Sequence, residues 1–292
     1  MYRFFIVLLI SFAFPTFSIV AVDLETGEVG SAGASCIANS IIISDVYPGI
    51  GAIHTQSYWN SVNQQNAGEL MEQGYSPEYI MNYLVSNDVS NNPEIRQYGA
   101  VDLIGLGRSA SFTGSNCMEY KGHITGDGYA IQGNILLGPE ILESMESNFL
   151  SSEGTLAERL MHSMQGANVA GADTRCMDEG VSSLSSFIRV ARANDLYEEY
   201  YLDINISNVP QAYIDPIDTL QIVFDTWVNE NTDYIPGDIN NDTIIDILDI
   251  IVAINIIFEN INPELWQELA ADMDSNGIIN IIDIIQIVNL IV

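Results

Sequence analysis

Positive charge is nearly missing from this chain. Its 292 residues hold 8 Lys and Arg against 39 Asp and Glu, a formal net charge of −31, and Lys121 is the sole lysine. Such a surface argues against nucleic acid as a partner, because backbone phosphates are held by Lys and Arg. It repels anionic membranes for the same reason. Histidine is scarce too. His54, His123 and His162 are scattered, with no HExxH spacing, so zinc catalysis has little support. Cysteine is limited to Cys36, Cys117 and Cys176, without a CxxC. In an exported chain two of these can pair and one is left over, but spacing does not select the pair. Beyond the N-terminus, no uncharged apolar run reaches the ~20 residues of a membrane span.

What is present begins with a leader. Arg3 precedes the apolar run Phe4–Ile10 and then Ser11, Phe12, Ala13 and Phe14, the layout of a secretory signal. Residues 1–15 are therefore expected to be removed, and the protein to be secreted, extracellular or attached to a cell surface. A cut after Ala13 obeys the small-residue rule and leaves Phe14-Pro15 ahead of Thr16, so that a second trimming step or self-cleavage is needed to free Thr16. The 292-residue chain is 48% hydrophobic, enough for one large domain and a small one.

Residues 18–36 read as two strands around a TGE turn. Two short helices follow in NAGELMEQGYSPEYIMNYLVSND, the first stopped by Gly74 and the second started by Ser76-Pro77. IRQYGAVDLIGLGRSASFTG reads as a hairpin, and GYAIQGNILLG as a strand that exits through QGN. Helices are expected near 139–149 and 155–168, paired strands in SSFIRVARAND and YYLDINIS, and an amphipathic helix from Asp215-Pro216. Strands and helices in blocks indicate an α+β or a layered α/β architecture. At about Asn231 the composition turns Ile-, Asp- and Asn-rich, which places a domain of residues 16–232 before one of 233–292.

The second domain contains a duplicated loop. DINNDTIIDILD (238–249) and DMDSNGIINIID (272–283) each open an apolar run. Calcium takes six to eight oxygen ligands, supplied in a 12-residue loop by positions 1, 3, 5, 7, 9 and 12. Those positions are Asp238, Asn240, Asp242, the Ile244 carbonyl, Asp246 and Asp249. In the second loop they are Asp272, Asp274, Asn276, the Ile278 carbonyl, Asn280 and Asp283. Two matched loops call for two calcium ions. Gly277 occupies the sharp-turn position, whereas Thr243 replaces it in the first loop, which predicts strain there. This loop–helix pair resembles a type I dockerin over about residues 236–292. The resemblance implies an all-α module that binds a cohesin, with partner choice set partly by loop positions 10 and 11, here Ile247-Leu248 and Ile281-Ile282. The helices IIVAINIIF and IIQIVNLIV are apolar almost all round, more than so small a module can bury. A docking surface is expected; the plainer alternative is packing against the first domain.

TFSIVAVDLETGEVGSAGASC, PGIGAIHTQS, RQYGAVD, FTGSNC, GHITGDGYAIQGN, LAERLMHSMQGANVAGADTR and YLDINI together resemble DUF1028, a family with the look of the N-terminal-nucleophile hydrolase superfold. The resemblance implies a four-layer αββα sandwich of two antiparallel sheets between helices. In that superfold a Thr, Ser or Cys freed at the N-terminus attacks an amide, and its own α-amine acts as base. Thr16 is the expected nucleophile and Ser18, on the same strand face, its rival. Asn134 is the candidate oxyanion donor. Asp173 and Arg175 are candidates for orienting the amine or binding a substrate carboxylate, and His54 and His123 are candidates for bordering the cleft. Each has a plainer reading: a turn cap for Asn134, a buried ion pair for Asp173 and Arg175, a satisfied core group for His54.

The resulting expectation is a secreted hydrolase of amide bonds in peptides or small amides, tethered through calcium and a cohesin. Two alternatives stay open at this level: a non-catalytic protein of the same fold, or a component of extracellular polysaccharide breakdown. The oligomeric state is left open.

Overall fold

The computed structural model describes residues 16–207, 214–231 and 234–291. The expected signal segment and the Pro15–Thr16 bond lie outside the described residues.

The strands β1 (Phe17–Val22) and β2 (Val29–Ser35) form the first hairpin. β3 (Ser44–Tyr47) and β4 (Gly51–Ser57) form a second, which leads into α1 (Ser61–Glu72) and α2 (Pro77–Ser86). The start signals act as read. Asn60 accepts hydrogen bonds from Val62 and Asn63, Ser76 accepts one from Tyr79, and Pro77 opens α2. Gly74 between the helices has φ +80°, a conformation only glycine adopts without strain. Next come β5 (Arg96–Asp102), β6 (Ser109–Thr113), β7 (Gly122–Gly126) and β8 (Tyr129–Gly133). α3 (Glu140–Ser151) and α4 (Leu156–Gly166) follow, α4 opened by a Thr155–Glu158 capping box. β9 (Ser185–Ala191) and β10 (Leu202–Ile206) complete the strands.

All strand pairings among the described residues are antiparallel. One sheet runs β10-β9-β2-β1-β8-β7 and the other β3-β4-β5-β6. α1 and α2 cover the four-stranded sheet, α3 and α4 cover the six-stranded one, and the uncovered faces meet. This is the αββα sandwich that the family resemblance implies.

Strand alternation divides the side chains between layers. Ile53, Tyr98 and Ala100 join Ala67, Met71, Ile80 and Leu84 under α1 and α2. Their strand neighbours Ala52 and Val101 face inward and meet Val20, Val22, Val29 and Ala130 from the other sheet. The space between the sheets is therefore apolar toward Val22. Toward Thr16, at the opposite end of β1, the inward residues are polar.

A disulfide joins Cys36, just after β2, to Cys176 in a short 3-10 turn, with Cα atoms 5.8 Å apart. Cys117 is buried and unpaired, and burial pushes its thiol pKa up.

A helix α5 (Pro216–Asn231) follows, and the chain divides into two compact units between Ile222 and Val223, inside it. The composition shift near Asn231 thus marks the end of the helix. The second unit contains α6 (Ile247–Ile257), α7 (Leu265–Ala271) and α8 (Ile281–Ile291). Its core is Ile239, Ala253, Ile256, Ala270, Ala271, Ile284 and Ile287. Ile247, Leu248 and Ile251 on α6, and Ile281, Ile282 and Ile285 on α8, are exposed.

The disulfide closes a loop of 140 residues, so Cys176→Ser is expected to lower unfolding free energy by about 2–5 kcal/mol. Urea unfolding checks this. In the same experiment Cys117 should resist thiol reagents until the chain unfolds.

Candidate functional site

Thr16 stands immediately before β1 and is fully buried. Its carbonyl accepts from the Asn134 backbone N–H at 3.1 Å and from Gln56 Nε2 at 3.2 Å. The register that pairs β1 with β8 brings Asn134 here, because Phe17 opposes Gly133. By alternation Thr16 and Ser18 share the face toward the other sheet.

That face carries a connected set of amides. Ser18 Oγ donates to Gln56 Oε1 at 2.6 Å, and Gln132 Nε2 donates to Ser18 Oγ at 2.7 Å. Gln56 Nε2 also reaches Gln97 Oε1 at 2.8 Å, and Asn134 Nδ2 donates to the same oxygen at 2.9 Å. Gln97 Nε2 ties the two sheets together by donating to the Gly133 carbonyl at 2.8 Å. Ser18, Gln56, Gln97, Gln132 and Asn134 are all fully buried. Gly99 makes room for this set, since a Cβ there would collide with the Gln132 amide.

His54 belongs to the same set. Gln132 Nε2 donates to His54 Nδ1 at 3.1 Å, and His54 Nε2 lies 2.6 Å from Ser31 Oγ. With Nδ1 accepting, Nε2 carries the proton. Burial depresses the His54 pKa to about 3, and the Arg189 charge adds to the effect. His54 is thus a neutral, satisfied interior group. His123, by contrast, is exposed, its Nδ1 2.8 Å from Thr113 Oγ1 at the edge of the set.

Two buried oxygens, Gln132 Oε1 and Asn134 Oδ1, have no hydrogen-bond partner among the described residues. Such an atom costs roughly 1–3 kcal/mol. The next residue, Ile135, has φ +55°, strained for a β-branched side chain. Both features sit at the strand exit that touches Thr16.

Asp173 and Arg175 lie along the same strip. Leu136 bridges to Asp173, and the Ile135 carbonyl accepts from Thr174 N–H at 3.0 Å. Asp173 is fully buried and its carboxylate is committed. Oδ2 accepts from the Cys36 N–H and Arg175 Nη2, each at 2.8 Å, and Oδ1 accepts from Arg175 Nε at 3.1 Å. The ion pair leaves the Arg175 side chain 32% exposed. No signal in the sequence marked Gln56, Gln97 or Gln132 individually; only their inward parity on three strands, once the register is known, unites them.

The two acidic loops of the second unit are built alike. Asp249 is fully buried; its Oδ1 accepts from Ile239 and Asn240 N–H groups and its Oδ2 from Asp246 N–H. Asp283 accepts from Met273 and Asn280 in the matching way. Asp238 accepts from Asp242 and Thr243, and Asp272 from Asn276 and Gly277. Ligand oxygens of Asp272, Asp274 and Asp283 lie within 4.8 Å of one another. Asn280 Nδ2 folds over to the Ile278 carbonyl at 3.0 Å. Hard oxygen donors converging around one point suit calcium. Position 6 is left-handed in both loops, with φ +69° at Thr243 and +78° at Gly277, so the strain expected of Thr243 is present.

A test of the interior assignment follows from His54. Above pH 6.5 His54 is neutral whether the chain is folded or unfolded. Below it the unfolded chain takes up a proton that the folded chain, with a pKa of about 3, does not. Stability from this group is therefore full above pH 6.5 and is lost as pH falls toward 3. Between pH 7 and pH 5 the wild type should lose about 2 kcal/mol more than His54→Gln, because the unfolded chain gains this proton. Urea titrations at the two pH values check this.

Comparison with known proteins agrees with this architecture. Residues 16–216 match the family of unknown function DUF1028, and residues 236–291 match the dockerin type I domain. A DUF1028 protein from Silicibacter pomeroyi has a similar solved structure, with TM-score 0.60 and 25% identity, covering 73% of this chain and 89% of that one. Anbu, an ancestral β-subunit, from Yersinia bercovieri aligns more loosely, with TM-score 0.42, 10% identity, and 73% and 94% coverage. No curated protein matches the chain in sequence. A type I dockerin typically binds calcium and implies a cohesin partner. The chain belongs to the DUF1028 family and carries a C-terminal type I dockerin domain.

Proposed function

We propose that the protein is a secreted amide-bond hydrolase with Thr16 as its N-terminal nucleophile, held on a cohesin-bearing scaffold or surface by a two-calcium dockerin. The observation that carries the catalytic reading is the pinning of Thr16. Its carbonyl is fixed by Asn134 N–H and Gln56 Nε2, at the polar end of a space that is otherwise apolar. A residue held so firmly at the start of a strand suits a nucleophile that must not move.

Removal of residues 1–15 frees the Thr16 α-amine. That amine takes the proton of Thr16 Oγ1 as the oxygen attacks the substrate carbonyl. The tetrahedral oxyanion then takes a hydrogen bond from Asn134 Nδ2, whose other hydrogen is held by Gln97 Oε1. Collapse expels the amine product, which carries away the proton, and water hydrolyses the acyl-threonine. Asn134 Oδ1, lacking a partner among the described residues, is the acceptor that orients the α-amine. Asp173 acts at one remove: it holds the Thr174 segment against Ile135, and Arg175 at its exposed side receives a substrate carboxylate. Ser18 is a poor rival, since its hydroxyl already joins Gln56 and Gln132.

In the dockerin, Asp238, Asn240, Asp242, the Ile244 carbonyl, Asp246 and Asp249 would hold one ion. Asp272, Asp274, Asn276, the Ile278 carbonyl, Asn280 and Asp283 would hold the other. Bound there, calcium would neutralise the converging carboxylates and so order the loops from which α6 and α8 start. The exposed Ile247, Leu248, Ile281 and Ile282 then form the face offered to the cohesin.

Against a panel of short peptides, Thr16→Ala is expected to lose at least about 10³-fold in kcat/KM while keeping its unfolding midpoint. Retained activity would remove Thr16 from the mechanism. For the dockerin, calorimetry should count two calcium ions per chain. Thr243→Gly should tighten the first site roughly fivefold, by relieving about 1 kcal/mol of backbone strain.

A further inference from the structure

The four-stranded sheet has a second concave region on its other face. Alternation turns His54 and Gln56 toward the sheet interface and turns Asp45, Tyr47 and Thr55 toward α1. Between β3, α1 and the β9–β10 connection lies a cleft of about 450 Å³. It is separated from Thr16 by the thickness of the sheet.

The lining has an unusual composition. Three aromatic rings, Tyr47, Trp59 and Tyr197, line the cleft together with Asp45, Glu69 and Glu72, and among the described residues no Lys, Arg or His lines it. The Tyr47 and Tyr197 ring centroids are 5.5 Å apart. Gln64 fixes the floor. Its Oε1 accepts from Thr55 Oγ1 at 3.0 Å and from Trp59 Nε1, and its amide hydrogen-bonds the Asp45 side chain. The Tyr197 hydroxyl approaches Asp45 Oδ1 at 3.5 Å. Burial holds the Asp45 carboxyl above the usual carboxylate range, in spite of Gln64 and the Arg189 charge. Arg189 does not neutralise Asp45 from within the cleft, because it pairs with Asp203 and bonds the Ser44 carbonyl.

A half-desolvated carboxylate among aromatic faces is unfavourable as it stands. Its natural complement is a cation that brings charge to the carboxylates and an apolar stem or π-contact to the rings. We infer that this cleft binds an organic cation, an alkylammonium or guanidinium group carried by a free polyamine or by a basic side chain of a peptide. A neutral sugar could stack on the rings and donate its hydroxyls to the carboxylates, but it brings no positive charge to a lining that holds three acids and no basic residue among the described residues. The inference does not depend on Thr16 being catalytic.

The test is calorimetry on the full-length secreted chain, saturated with calcium, at about 0.15 M salt so that diffuse attraction to the acidic surface is screened. The probes are spermidine, the peptide acetyl-Gly-Lys-Gly-amide and cellotetraose. Saturable binding of one cation per cleft is expected, with cellotetraose silent. Spermidine alone binding identifies a free polyamine, and the peptide alone identifies a basic side chain. Asp45→Asn should weaken binding roughly tenfold or more, and the exposed-side variants Tyr197→Ala and Glu72→Gln roughly threefold to tenfold each. The last two keep the test valid should Asp45→Asn fold poorly. Absence of saturable cation binding, equal binding by all three variants and the wild type, or binding of cellotetraose alone would overturn the inference.

Discussion

The structure of the first domain depends on the row of hydrogen bonds by which Gln56, Gln97 and Gln132 join two sheets across their interior. Burying so many amides between sheets is costly unless each finds a partner. Here nearly all do, and in satisfying one another they fix the register of β1 against β8 and of β4 against β5. Valine and alanine would have packed this space more simply, as they do toward Val22. The polar end therefore serves position more than stability. It holds the start of β1, where Thr16 sits, to two fixed donors.

The unpartnered oxygens of Gln132 and Asn134 and the left-handed Ile135 fall beside that same point. A fold tolerates a few such costs where geometry matters for chemistry. The Cys36–Cys176 disulfide and the Asp173–Arg175 ion pair support the strip from behind, each tying the 173–176 segment to the end of β2 or to itself. Asp173 is thus both the buried ion pair of the plainer reading and a support for the candidate site.

Much of this was legible in the sequence where the signal is local. Ser76-Pro77 and Gly74 marked a helix boundary because capping and left-handed φ act over three or four residues. The calcium loops were legible because their ligands are contiguous. The choice of disulfide partner was not legible, since it depends on an approach across 140 residues. Nor were the glutamines: an isolated Gln in a strand reads as exposed, and only the alternation of three strands brought together turns Gln56, Gln97 and Gln132 inward. The cleft at Asp45 was hidden for the same reason, because Asp45, Trp59, Glu72 and Tyr197 come from separate parts of the chain. In the dockerin, composition alone forecast the excess of apolar helix surface, and the exposed isoleucines of α6 and α8 are that surface.

Catalysis by Thr16 requires that it become the first residue. Intact-mass analysis and N-terminal sequencing of the protein recovered from the culture medium decide it. A chain beginning at Thr16 with a free α-amine is the result predicted. A mature chain that keeps Phe14-Pro15, or one that begins after Ser18, would contradict it.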